Sequence, residues 1–111
     1  MNIKIDKHLK SPKISAALFD LDGTILNQKE EIPEEIVLRI KHISKIVPTS
    51  LVSGRIFSSV YEYSEILGLT SPQISDNGAL IFDPKNKEII FNKSIDRTIA
   101  CLLYTSDAAD E

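Results

Sequence analysis

The chain has 111 residues, with 13 Lys and Arg against 16 Asp and Glu, a formal net charge of −3 and one Cys. Hydrophobic residues make up 42% and charged ones 26%, the balance of a folded domain and not of a disordered chain. The lone Cys excludes the disulfide-rich and zinc-cluster classes, the small net charge argues against nucleic acid or an acidic membrane as partner, and no apolar run approaches the roughly 18 residues of a bilayer span.

Residues 1–13 carry four lysines and no apolar stretch of the kind that a secretion signal needs. They read as a polar N-terminal extension, with room for a short strand at 3–5. Residues 14–19 are a nearly unbroken apolar run, the pattern of a strand covered on both faces in the middle of a parallel sheet. From Pro33 the period changes: Ile36, Val37, Ile40, Ile43 and Val47 recur at helical spacing. Pro33 fits the first helical position and Glu34 and Glu35 the positive N-terminal end, while Lys41 and Lys45 suit the other end and Pro48 stops the helix. Residues 49–53 form a second strand, broken at Gly54. Ile56, Phe57, Val60, Ser64 and Leu67 mark a second helix that Gly68 caps. A third strand at 73–75 leads into Asp76-Asn77-Gly78. Strands at 79–82 and 88–92 then flank a turn at 83–87, and 94–96 begins a further helix.

Strand, helix, strand, helix, strand predicts an α/β fold with a parallel sheet. In such sheets the ligand crevice lies beyond the carboxyl ends of the strands, here near Asp20, Ser53 and 75–77.

The sharpest feature there is Phe19-Asp20-Leu21-Asp22-Gly23-Thr24-Ile25-Leu26. Two carboxylates two residues apart can face one crevice if the chain curls, which Gly23 permits. Close carboxylates repel unless a cation or a proton intervenes, so the pair is a metal site or an acid/base pair, and oxygen-only ligands favour Mg²⁺. A calcium loop counted from Asp20 fails, because Gly falls at position 4, Ile25 at position 6, and a strand enters where a helix should. In Leu51-Val52-Ser53-Gly54-Arg55 a hydroxyl residue and a Gly stand at a strand-to-helix junction, where N–H groups can hold an anion. By itself the tripeptide equally fits a glycine loop with a solvated Arg. Asn77-Gly78, taken alone, is a hairpin turn or a binding loop.

In order and spacing, these three stretches resemble the motifs of the haloacid dehalogenase (HAD) superfamily, and of its Cof-like subfamily IIB phosphatases in particular. The likeness spans 14–100. It implies the N-terminal part of a Rossmann-like parallel sheet at 14–83 and the start of an α+β cap at 84–100. It also implies that Asp20 is the nucleophile, forming an aspartyl-phosphate, and that Asp22 is the general acid and base. Both would bind Mg²⁺, Asp22 through its backbone carbonyl. Gly23 and Thr24 would shape the loop, Ser53 would hold the phosphoryl group with Gly54, and Arg55 and Asn77 would line the substrate mouth. The expected substrate is a small phosphorylated metabolite, such as a sugar phosphate or nucleotide. The resemblance calls for no nucleic acid, membrane or protein partner, and a cytoplasmic location is expected. A phosphomutase of the phosphomannomutase type would share all three motifs. A non-catalytic HAD-fold binding module would usually have lost one of the two aspartates.

Two parts of the family's site have no counterpart here: a later Lys, and an acidic pair that completes the metal site. Lys85, Lys87 and Lys93 belong to the cap-entry hairpin. Residues 101–111 resemble one translated frame of a common transposase sequencing adapter at all eleven positions, and are expected to be a non-native tail on a gene fragment. Without them the acids fall to 13 against 13 bases, a net charge of zero, and the only Cys goes too. The fragment alone is expected to be inactive and poorly soluble, with an apolar sheet edge exposed. His8 and His42 read as solvated, Tyr61 and Tyr63 as helix packing, and the sequon at 92–94 as meaningless without secretion.

Overall fold

A computed structural model describes residues 12–93. Strand β1 (Ala17–Phe19) pairs in parallel with β2 (Thr49–Leu51), and helix α1 (Glu34–Ile46) makes the crossover between them. Helix α2 (Phe57–Leu67) connects β2 to β3 (Gln73–Ser75), which runs parallel to β2 and meets it at the Val52–Ile74 bridge. Strand β4 (Leu80–Asp83) then pairs antiparallel with β3, and β5 (Glu88–Asn92) antiparallel with β4. The expected α/β order is therefore present, and the third strand lies where the sequence pattern puts it. The expected strand at 3–5, the helix from 94 and the tail at 101–111 lie outside the described residues.

One core holds these elements together. Ile40 of α1, Val60 and Leu67 of α2, Leu51 of β2, Phe82 of β4 and Leu69 form a single buried cluster with Leu21 and Ile25 from the loop after β1. The helical stripes read from the sequence are largely the stripes that face it. Ile56 is the exception: it is the N-terminal cap of α2 and 64% exposed, because its extended backbone precedes the first helical turn. Pro33 likewise caps α1 from outside, at φ −54° and ψ 141°, so the helix begins one residue later than expected. Gly68 closes α2 with φ 66°, the left-handed conformation for which glycine is suited.

The first strand departs from expectation in its surroundings. Successive strand residues point to opposite faces, and both helical stripes meet the core cluster that packs Phe19. Leu18 points the other way and is 65% exposed, with Ile14 at 64%. Nothing among the described residues covers that face. Among the described residues β1 is thus an edge strand with one apolar face open, where the sequence pattern predicts cover on both.

Beside β2 the ladder is carried in part by a side chain. The Gln73 carboxamide oxygen accepts from the Leu51 N–H, and its nitrogen donates to Thr49 O at 3.2 Å and Ser71 O at 2.7 Å. Gln73 is fully buried, and an amide placed there supplies the bonds that two short, diverging strands cannot.

Candidate active site

The Asp20–Thr24 motif is a wide turn clamped into the core at two points. Leu21 and Ile25 are buried, and the Leu26 N–H donates to Leu21 O at 3.0 Å to close the turn. With Leu21 driven inward, Asp20 and Asp22 on either side of it are both exposed, together with Gly23 and Thr24. Gly23 sits at φ 74°, so the curl expected from its position is made by the residue best able to make it.

The neighbouring strand ends bring the second and third motifs to the same edge. The Val52 N–H donates to Phe19 O at 2.9 Å, and the Ser53 N–H donates to Ile74 O at 3.1 Å, so β1, β2 and β3 end side by side. Ser53 is buried, and its Oγ accepts from the Arg55 N–H at 3.1 Å. The Asp76 N–H donates to Arg55 O at 2.8 Å and the Asn77 N–H to Ser53 O at 3.2 Å. Asp76 and Asn77 both take positive φ (53° and 55°) in the turn Asp76–Gly78 that joins β3 to β4. Asn77 is therefore both hairpin turn and site neighbour. A Cβ on Gly54 would lie 2.6 Å from Asn77 Oδ1, so glycine there lets the two loops meet.

The decisive side-chain contact is between the first motif and the second. Arg55 donates to Asp22 twice, Nε to Oδ2 at 2.8 Å and Nη2 to Oδ1 at 2.7 Å, a planar two-pronged grip. Its Nη2 also lies 3.2 Å from Glu30 Oε1. Those donated hydrogen bonds, reinforced by the guanidinium charge, hold the Asp22 carboxyl below the usual carboxylate range. Arg55 is raised further above its already high range, by the same hydrogen bonds first. Asp20 is held differently: it accepts from the Leu21 N–H at 2.8 Å and has no cationic partner among the described residues.

Tyr63 and Glu30 are site neighbours that motif spacing did not reveal. Tyr63 lies on α2 with its ring 5.7 Å from the Arg55 guanidinium carbon, and its hydroxyl donates to Glu30 O at 2.6 Å. Its place in the helical pattern pointed only to packing. Tyr61 does pack as expected, against Phe57 and Phe82, and His42 is exposed.

A model of the haloacid dehalogenase-like hydrolases matches residues 17–106, ending inside the adapter-like segment. The chain belongs to this family. Among curated relatives it is 31% identical over 71 residues to a phosphoglycolate phosphatase of Thermoplasma acidophilum, covering 63% of this chain and 32% of that protein. It is 39% identical over 54 residues to the phosphomannomutase of Spinacia oleracea, covering 49% and 21%. The crystal structure of a haloacid dehalogenase-like hydrolase from Bacteroides thetaiotaomicron superposes with a TM-score of 0.75 at 25% identity, over 84% of this chain and 36% of that one. The chain thus spans about a third or less of the length of these proteins. Among the described residues no helix is long and apolar enough to cross a membrane.

The donors present suit a hard cation such as the Mg²⁺ that the family resemblance implies. Asp20 offers an exposed carboxylate that no cation among the described residues engages, and Asp22, whose carboxylate Arg55 occupies, would offer its backbone carbonyl. Oxygen donors with room for several waters are what Mg²⁺ takes. No group of three His, Cys, Asp or Glu is assembled for a metal among the described residues, so these two would be only part of the set.

Proposed function

We propose that this chain, which spans about a third of the length of its relatives, is part of a Mg²⁺-dependent phosphatase that hydrolyses a small phosphomonoester, such as a sugar phosphate or nucleotide, through an aspartyl-phosphate at Asp20. The observation that carries it is the unequal treatment of two carboxylates on one exposed turn, one left free and one gripped by an arginine. In the first half-reaction Asp20 attacks phosphorus, a bond from Asp20 oxygen to phosphorus forms, and the bond to the alcohol oxygen breaks. Asp22 gives that oxygen its proton. In the second, water attacks the same phosphorus, Asp22 takes up a water proton, and inorganic phosphate leaves Asp20. A carboxyl held below its usual range is ionised at neutral pH, so the Arg55 grip suits the second half-reaction, and proton delivery in the first requires the grip to loosen. Ser53 and the Gly54 N–H hold the phosphoryl oxygens, and Asn77 borders the mouth. The Asp20 carboxylate and the Asp22 carbonyl would hold magnesium, which when bound would supply positive charge against the phosphate. The later Lys and acidic pair would come from the rest of the protein, so the 111-residue chain alone is inactive on this reading.

The test is steady-state hydrolysis of an aryl phosphate by the whole protein. Asp20→Asn lowers turnover about a thousandfold or more; activity retained in that variant contradicts the assignment. The likeness to a phosphomannomutase supports a second reading, in which Asp20 passes the phosphoryl group to a sugar hydroxyl and not to water. Hexose phosphate isomerised without release of phosphate would favour it.

A further inference from the structure

We propose that Glu30 and Tyr63 are positioning residues, which fix the Arg55 guanidinium in the place from which it aims the Asp22 carboxylate. The proposal rests on the phosphatase reading for its catalytic consequence, but its geometry stands on this chain alone. Glu30 is held at φ 60°, a left-handed conformation that a residue with a side chain rarely adopts. Four bonds keep it there: its own N–H donates to Asn27 O at 3.0 Å and its carbonyl accepts from the Tyr63 hydroxyl at 2.6 Å, while on either side the Asn27 side chain accepts from Lys29 and Glu31 N–H at 2.9 and 3.0 Å. Backbone held so unusually persists when its surroundings over-determine it, and such sites gather where a side chain must be aimed. Here the aimed side chain is Glu30, whose carboxylate meets Arg55 Nη2, the same nitrogen that donates to Asp22 Oδ1.

Arg55 is correspondingly held by two carboxylates and a ring. Its side chain is 21% exposed, against 60% for Asp22 and 69% for Glu30, so the cation is the sheltered member and the two acids are its outer brackets. The Tyr63 ring closes a third side. The Arg55 backbone is itself bonded to Ser53 and Asp76. A free arginine would swing through many rotamers. This one has its Nε and Nη2 committed to carboxylates, which makes it a strut for Asp22 and not a hand for substrate.

The test uses Glu30→Gln, Tyr63→Phe and Arg55→Lys in the whole protein, with two readouts. In aryl phosphate hydrolysis, Glu30→Gln and Tyr63→Phe are expected to lower kcat three- to tenfold with KM within twofold. The double variant with Arg55→Lys should be no worse than Arg55→Lys alone, because all act through one guanidinium. A rise in KM without loss of kcat, additive losses, or no change in either parameter would overturn the proposal. The second readout is the Arg55 Nε–H resonance, identified by its absence in Arg55→Lys. Slow solvent exchange of this proton in the parent, accelerated at least fivefold by Glu30→Gln, is expected; unaltered exchange overturns the proposal even if the protein proves to have no phosphatase activity.

Discussion

The parallel half of the molecule, from β1 to β3, and the β4–β5 hairpin share one hydrogen-bonded surface but are secured in different ways. In the parallel half, each strand end is tied to the next by named bonds, and buried Ser53, Gln73 and Ser75 all have partners. The hairpin contributes one deep anchor, Phe82, which meets Phe57 edge-on at 4.8 Å, while every residue of β5 is exposed. Its turn is local, with Asp83 accepting from Lys85 and Asn86. The difference teaches where the site's precision comes from. The strand ends that carry Asp20, Ser53 and Asn77 are fixed by contacts within this chain, whereas β5 presents Ile89, Ile90 and Phe91 at 54, 57 and 46% exposure.

Three substitutions in the whole protein, followed by denaturant unfolding, would break or sharpen that contrast. Phe82→Ala should cost most, about 3–5 kcal/mol, since it removes a buried aromatic that packs against both Phe57 and Tyr61. Gln73→Leu should cost about 2–3 kcal/mol, by leaving the Leu51 N–H and Thr49 carbonyl buried without partners while keeping the volume filled. Ile90→Ser, on the open strand, should fall within about 0.5 kcal/mol of the parent. If the Ile90 variant cost as much as the Phe82 one, β5 would be a buried strand in the whole protein, and the hairpin would be secured as firmly as the parallel half.

Much of the architecture was legible because it depends on local signals. The apolar run before Asp20, the 3.6-residue stripes of α1 and α2, and the Gly68 cap are patterns within a few turns of chain. The three site loops were legible for the same reason, since each follows directly on a strand. Neighbour identity was less so. The run at 14–19 was read as covered on both faces, yet coverage depends on what packs against Leu18, which the run itself does not encode. That Arg55 grips Asp22 was not legible, because a lone arginine in a glycine loop carries no mark of its partner 33 residues away. Glu30 and Tyr63 were not legible as site neighbours for that reason too. Tyr63 sits in an ordinary helical pattern, and the positive φ of Glu30 is set by the Asn27 turn and not by a glycine that would have announced it.

The central claim is that Asp20, the carboxylate without a cation, becomes covalently phosphorylated while Asp22 does not. The direct measurement is borohydride trapping of the whole protein during turnover of an aryl phosphate, followed by peptide mass spectrometry across residues 14–29. The account predicts reduction of the acyl phosphate to homoserine at position 20, absent when substrate is omitted and absent in Asp20→Asn. Homoserine at position 22, or turnover with no trapped species at either aspartate, would contradict it.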